Sequence, residues 1–131
     1  MTGEATRGVS RRRARRQALF LLYQWDLTGQ ELETLFEGSP DEFASSLSHA
    51  VADRAGELDA RITAASSEWP ADRLGTLERN ILRIGVYELE EGTVPAEVAI
   101  NEAVVLAKRY ATEDAARLVN GILGRIRREG S

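Results

Sequence analysis

The 131-residue sequence contains no cysteine, one histidine and only three prolines. Without cysteine there are no disulfides and no thiolate metal sites, and the composition fits a reducing compartment. A single histidine, His49, rules out a histidine cluster; Ser46 and Ser48 stand beside it, and no acidic partner lies in register for a nucleophilic triad. No apolar run approaches the roughly 20 residues that a membrane span needs, and the N-terminus lacks the apolar segment and small-residue cleavage site of a signal peptide. The expectation is a cytoplasmic protein with no membrane association. Glycine-rich phosphate loops and nucleophile-elbow motifs are also missing. Glu90-Glu91 and Glu113-Asp114 are adjacent carboxylates, but helical neighbours point about 100° apart and make poor acid/base or ligand pairs. The sequence therefore implies no cofactor, no metal and no enzymatic activity. Binding is the function class that remains.

What is present is organised around Ser10 to Leu27, SRRRARRQALFLLYQWDL, where a block of arginines runs directly into large apolar and aromatic residues. Ala14, Ala18, Leu21, Leu22 and Trp25 recur at helical spacing and form a core-facing arc. Arg11, Arg12, Arg13, Arg15 and Arg16 are read as residues no core could bury, and Arg12, Arg16 and Tyr23 align as a basic and aromatic stripe. A solvated helical turn with a snorkelling tyrosine would produce the same pattern. Net charge is −4, yet residues 1 to 28 carry +4 and residues 29 to 60 carry −7. An acidic average thus conceals a basic arm, and the local field governs what a polyanion meets.

Residues 1–9 read as a flexible tail and residues 10–131 as one domain, long enough to bury roughly two thirds of its unfolded surface. Ser10 is the expected cap of the first helix and Gly29 its end. A short helix over Glu31 to Phe36 precedes Ser39-Pro40-Asp41-Glu42, which combines an N-cap serine, a proline at the first helical position and a glutamate at the third. From there one long helix is expected, with Phe43, Leu47, Ala50, Val51, Leu58, Ile62 and Ala65 as its stripe and an interruption near Gly56. Trp69-Pro70 breaks the chain. Leu74 to Glu90 is apolar on more than one face and reads as the central helix, with Gly85 allowing another helix to approach closely. Gly92 to Pro95 turns the chain, Ile100 to Tyr110 forms the next helix, and Thr112 or Asp114 caps the last, which runs to about Arg128. Leu118 falls at the border of that helix's apolar face. No strand-like alternation appears, so the fold class is all-α with six to seven helices.

From Leu77 to Gly124 the sequence resembles the NusB family of transcription antitermination factors, above all in ILRIGVYEL, VPAEVAINEAVVLAK and EDAARLVNGILG; RRRARRQALFLLYQWDL is similar to that family's N-terminal arginine helix. The resemblance implies two small helical bundles packed together. It also implies binding of boxA, a short single-stranded element in nascent ribosomal RNA transcripts, together with NusE, a small-subunit ribosomal protein, within an RNA polymerase antitermination complex. By position it assigns RNA contacts to Arg11, Arg12, Arg13, Arg15, Arg16, Tyr23, Tyr110, Asp114 and Leu118, and places Glu78 on a surface shared with NusE. A monomer and a homodimer are both consistent with it. Leu118 stands where better-known members carry phenylalanine, Phe20 where some relatives are polar, and Ala115 where serine is frequent, so RNA affinity without the protein partner is expected to be modest. Two other readings compete with this one. A protein-only adaptor would use the acidic region, and a NusB-like domain of an RNA methyltransferase would need residues for a catalytic domain that this length does not leave.

Overall fold

A computed structural model describes residues 3–38, 41–66 and 69–130. Among these the fold is all-α: α1 (Gly3–Thr28), α2 (Leu32–Leu35), α3 (Glu42–Asp53), α4 (Ala55–Ala65), a 3-10 turn (Ala71–Arg73), α5 (Thr76–Glu91), α6 (Ala96–Tyr110) and α7 (Glu113–Glu129). The chain divides into two compact units, Met1–Asp53 and Arg54–Ser131.

In the first unit α1 packs against α2 and α3. Ala14, Ala18, Leu21 and Leu22 are buried as the helical spacing predicts, along with Leu19, while Trp25 at the end of the arc is half-buried. The helix ends where expected: Gly29 takes φ +75° and its N–H donates to the Trp25 carbonyl. Its start lies at Gly3, upstream of Ser10. Extending an existing helix adds a hydrogen bond for each residue ordered, so no cap at Ser10 is needed to begin it. Ser39 and Pro40 lie outside the described residues. The cap of α3 is Asp41, whose carboxylate accepts from the Ala44 N–H at 3.0 Å. The long helix expected beyond it is two helices, divided at Arg54, which takes φ −107° and ψ 14°. Gly56 lies inside α4, so the interruption falls two residues earlier than glycine alone suggests.

His49 on α3 has the acidic partner that the local sequence does not show. Its Nε2 lies 2.7 Å from Oε1 of Glu33 on α2, and its Nδ1 lies 2.8 Å from the Ser45 carbonyl oxygen. Both ring nitrogens therefore face acceptors, which favours the imidazolium. The Glu33 carboxylate, then the Ser45 carbonyl, hold the ring above its ordinary value near 6.5; the same ring holds Glu33 below its ordinary 4.5. The histidine's share of stability is complete below about pH 6.5 and is lost as pH rises through its raised folded value. The glutamate's share is present above about pH 4.5 and is lost as pH falls through its lowered one. We expect the urea midpoint to decline as pH rises above about 6.5, and His49→Gln to remove much of that decline. Identical slopes in the two proteins would show that the pair does not stabilise the fold. The effect is small because both side chains are solvent-accessible.

In the second unit α5 is the central helix, packed against α4, α6 and α7. Every residue from Asn80 to Val86 is buried. Gly85 meets α7 so closely that a Cβ there would stand 2.6 Å from Cδ1 of Leu123. Gly92 in the left-handed region (φ +67°) ends α5, and α6 starts directly after Pro95, one turn before Ile100. Thr112 caps α7, its hydroxyl accepting from the Ala115 N–H at 2.9 Å. Asp114, the other candidate cap, is one residue inside the helix.

Among the described residues of this unit Arg83, 5% exposed, is a buried charge, as are Glu88 and Glu102. Its Nε and Nη2 each donate to one oxygen of the Asp59 carboxylate at 2.7 Å, and its Nη1 donates to Oδ1 of Asn80 at 3.0 Å. Asn80 is oriented in turn by its donation to the Thr76 carbonyl.

Candidate nucleic-acid interface

The arginine block of α1 is divided by helical geometry into two sets. Arg11 and Arg15, one turn apart, both face α3, with guanidinium carbons 5.2 and 5.8 Å from the ring centre of Phe43. Arg15 is 4% exposed, which corrects the expectation that no core could bury these side chains. The guanidinium lies against a ring face, and among the described residues no buried side-chain nitrogen or oxygen lacks a hydrogen-bond partner, so burial does not leave the charge uncompensated. A buried Arg15 is a support for α1 and not a free phosphate contact. Arg11 remains exposed beside the Phe43 ring. Arg12 and Arg13 are exposed, and Arg16 and Tyr23 are half-buried. The basic and aromatic stripe expected from the helical wheel therefore reaches the surface of the first unit.

The residues assigned to the second unit lie around the junction of α6 and α7. Tyr110 is the last residue of α6, and the guanidinium of Arg109 lies 5.5 Å from its ring centre. Asp114, in the first turn of α7, forms an ion pair with Arg117 one turn on, both side chains largely exposed. Leu118 follows Asp114 by a further turn and is half-buried, as its border position predicts. This small surface offers an aromatic ring with a guanidinium plane on it, an acceptor able to exchange its arginine for another donor, and an apolar contact. Such groups stack bases and read their edges. Sequence reasoning places Arg117 on the same helix face as Asp114 and Leu118 without pairing it to Asp114, and it misses Arg109 beside Tyr110. The signal for both is nevertheless there, a cation adjacent to an aromatic ring and a cation three residues after a carboxylate on a helix.

Glu78 is the third residue of α5. Its carboxylate folds back over the start of the helix, where a Cβ on Gly75 would collide with it. That placement lets the carboxylate face the positive end of the helix dipole. Among the described residues no group of three or more His, Cys, Asp or Glu side chains could hold a metal ion, and no helix is long and apolar enough to cross a membrane.

Comparisons with known proteins agree with the all-α fold. The family model described as the NusB family matches residues 12–128. A transcription antitermination protein NusB of Solibacter usitatus is 38% identical, aligned over 92% of this chain and 90% of its own. The NusB of T. maritima superposes with a TM-score of 0.79 at 34% identity, covering 91% of each chain. A crystal structure of antitermination factors NusB and NusE in complex with double-stranded RNA superposes with a TM-score of 0.78 at 33% identity, over 91% of this chain and 96% of that one. With the family's model spanning nearly the whole sequence and its fold reproduced along it, the chain belongs to the NusB family, whose members are non-catalytic transcription antitermination factors.

Proposed function

We propose that this protein binds boxA-type single-stranded RNA of nascent ribosomal RNA transcripts together with NusE, and in that form joins an RNA polymerase antitermination complex in the cytoplasm. The observation that carries the reading is the match along 91% of the chain to a structure in which NusB and NusE are held with RNA. The surface chemistry supports it. Arg11, Arg12, Arg13 and Arg16 supply charge for phosphates, Tyr23 and Tyr110 supply rings for bases, and Asp114 supplies an acceptor that can distinguish bases. Leu118 contributes an apolar contact. Glu78 is the residue we assign to the NusE side, where its carboxylate would leave the helix start for a basic partner.

Titration with boxA RNA and with a scrambled strand, each with and without NusE, tests this reading. Tighter binding of boxA, strengthened by NusE, is expected; equal binding of both strands in every condition would reject it. In the same assay Arg12→Ala should weaken all strands alike and flatten the salt slope by about 0.7 for each phosphate no longer neutralised. Asp114→Asn should chiefly change discrimination between the strands, and unchanged discrimination would remove Asp114 from the reading group. Self-association is followed in parallel, since a homodimer that buries α1 would compete with RNA.

A further inference from the structure

The first unit holds a groove of about 350 Å³ between α1 and the segment of α2 that follows it. This volume falls within the range of sites that accept small ligands. Its apolar wall comes from Phe20 and Leu21 of α1 and from Leu35 and Phe36 at the end of α2. Phe20 is 43% exposed, a large apolar surface for a side chain in mid-helix. The polar lining is Gln17 and Gln24, one turn before and one turn after Phe20, with Glu37 opposite on the other segment. Two amides, one carboxylate and an aromatic ring around a space of this size match the requirements of a nucleobase, which has two flat faces and an edge of donors and acceptors.

The groove's surroundings favour the same occupant. Arg16 precedes Phe20 by one helical turn and Arg13 precedes Gln17 by one turn, so both cations lie on the same side of α1 as the groove residues that follow them. Tyr23 continues that line one turn beyond Phe20. A strand whose phosphates follow the arginines would therefore bring a base to the groove. The second wall is held in advance. His49 bonds Glu33 of α2 at 2.7 Å, and its ring lies 5.8 Å from that of Phe36, tilted by 42°. A preformed wall lowers the ordering cost of binding.

We propose that this groove is a subsite for one unstacked base of the bound strand, with Phe20 as its stacking ring and Glu37 selecting bases that carry an exocyclic amino group. The proposal rests on the RNA-binding reading above and adds a site to it. Adenine, guanine and cytosine present an amino donor to a carboxylate. Uracil has no amino group; its one edge donor, N3–H, stands between two carbonyl oxygens, which a carboxylate repels. Phe20 would also supply a stacking surface in a chain whose α7 offers Leu118 for that purpose.

Short oligo(C) and oligo(U) strands differ at the base edge by this amino group and test the assignment directly with the full chain. Oligo(C) should bind about tenfold more tightly than oligo(U) in fluorescence anisotropy. Phe20→Ala should weaken oligo(C) about tenfold while leaving the salt slope unchanged, and Phe20→Tyr should restore the affinity. Glu37→Gln should narrow the difference between the strands. Because Phe20 and Glu37 are exposed, folding of each variant can be verified by circular dichroism. If Phe20→Ala leaves oligo(C) binding intact while Arg12→Ala weakens it, the subsite is refuted and RNA binding stands. If neither strand binds under any condition, with or without NusE, the RNA reading fails and the subsite with it. A Phe20→Ala variant that loses NusE binding or self-association, with RNA affinity unaltered, would assign the groove to a protein surface and overturn the proposal.

Discussion

Replacing Asp59 by alanine is expected to lower the unfolding free energy by about 3 kcal/mol, because it removes the bidentate partner of a guanidinium that water does not reach. Arg83 is 5% exposed and both of its contacts to Asp59 are 2.7 Å, while the Asp59 side chain is 30% exposed, so water can take only part of the place of the lost carboxylate. Asn80 would remain as a neutral acceptor at 3.0 Å. The size of the loss reflects a buried charge deprived of its bidentate partner and does not measure what the pair contributes over an apolar alternative. The double replacement Asp59→Leu with Arg83→Met removes both charges together and should recover most of the stability. Denaturant midpoints for the single and double variants decide the matter. A single variant within about 0.5 kcal/mol of the parent would mean that Arg83 finds another anion or reaches water.

The second large effect concerns the packing of α5 on α7. Leu123 is fully buried, and its side chain occupies the space that Gly85 leaves open. Leu123→Ala should cost about 2 to 5 kcal/mol through reduced burial and the cavity that remains. Gly85→Ala sets two effects against each other. It gains about 1 kcal/mol of helix propensity, but its Cβ would stand 2.6 Å from Cδ1 of a fully buried leucine, which would have to shift. Overpacking of this kind costs about 1 to 3 kcal/mol, so a net loss is expected in the parent protein. In the Leu123→Ala background the clash is gone and only the propensity gain remains, so the same glycine substitution should become stabilising. This reversal of sign in a double-mutant cycle is the diagnostic result. Independent, additive effects would show that the two helices do not press on each other at this point.

Much of the helical inventory follows from short-range chemistry. Gly29 and Gly92 stop α1 and α5 because glycine adopts the left-handed conformation without steric penalty, Pro95 excludes helix before it and initiates α6, and Thr112 caps α7 through its own hydroxyl. Gly85 is readable as a close approach for a related reason: a glycine inside an apolar helix needs a structural cause. The Thr112 cap and the border position of Leu118 are equally legible, since each depends on spacing within one helix.

Other features are not legible in this way. An interruption near Gly56 is legible, but its place at Arg54 is not, since neither Arg54 nor the residue on either side of it is glycine or proline. Asp41 replaces Ser39 as the cap of α3 because both residue types cap well and local sequence does not rank them. Of the site, the basic stripe and the α6–α7 residues are readable, partly through the family resemblance. The groove at Phe20 is not, because Gln17, Phe20 and Gln24 become a lining only when Leu35, Phe36 and Glu37 stand opposite them.

The sequence by itself determined that this chain is all-helical, where most of its helices stop, which faces are apolar and that its N-terminal helix is basic, since these depend on residue type and on the 3.6-residue period. Only the tertiary structure decided which charges stay in water. Arg12 and Arg13 reach the surface while Arg15 is buried with Phe43 beside its guanidinium, Arg83 finds Asp59 and His49 finds Glu33, each partner lying on a different helix. Those outcomes depend on how helices pack, and helix packing is set by apolar burial along the whole element, so the fate of any one charge cannot be read from its neighbours in sequence.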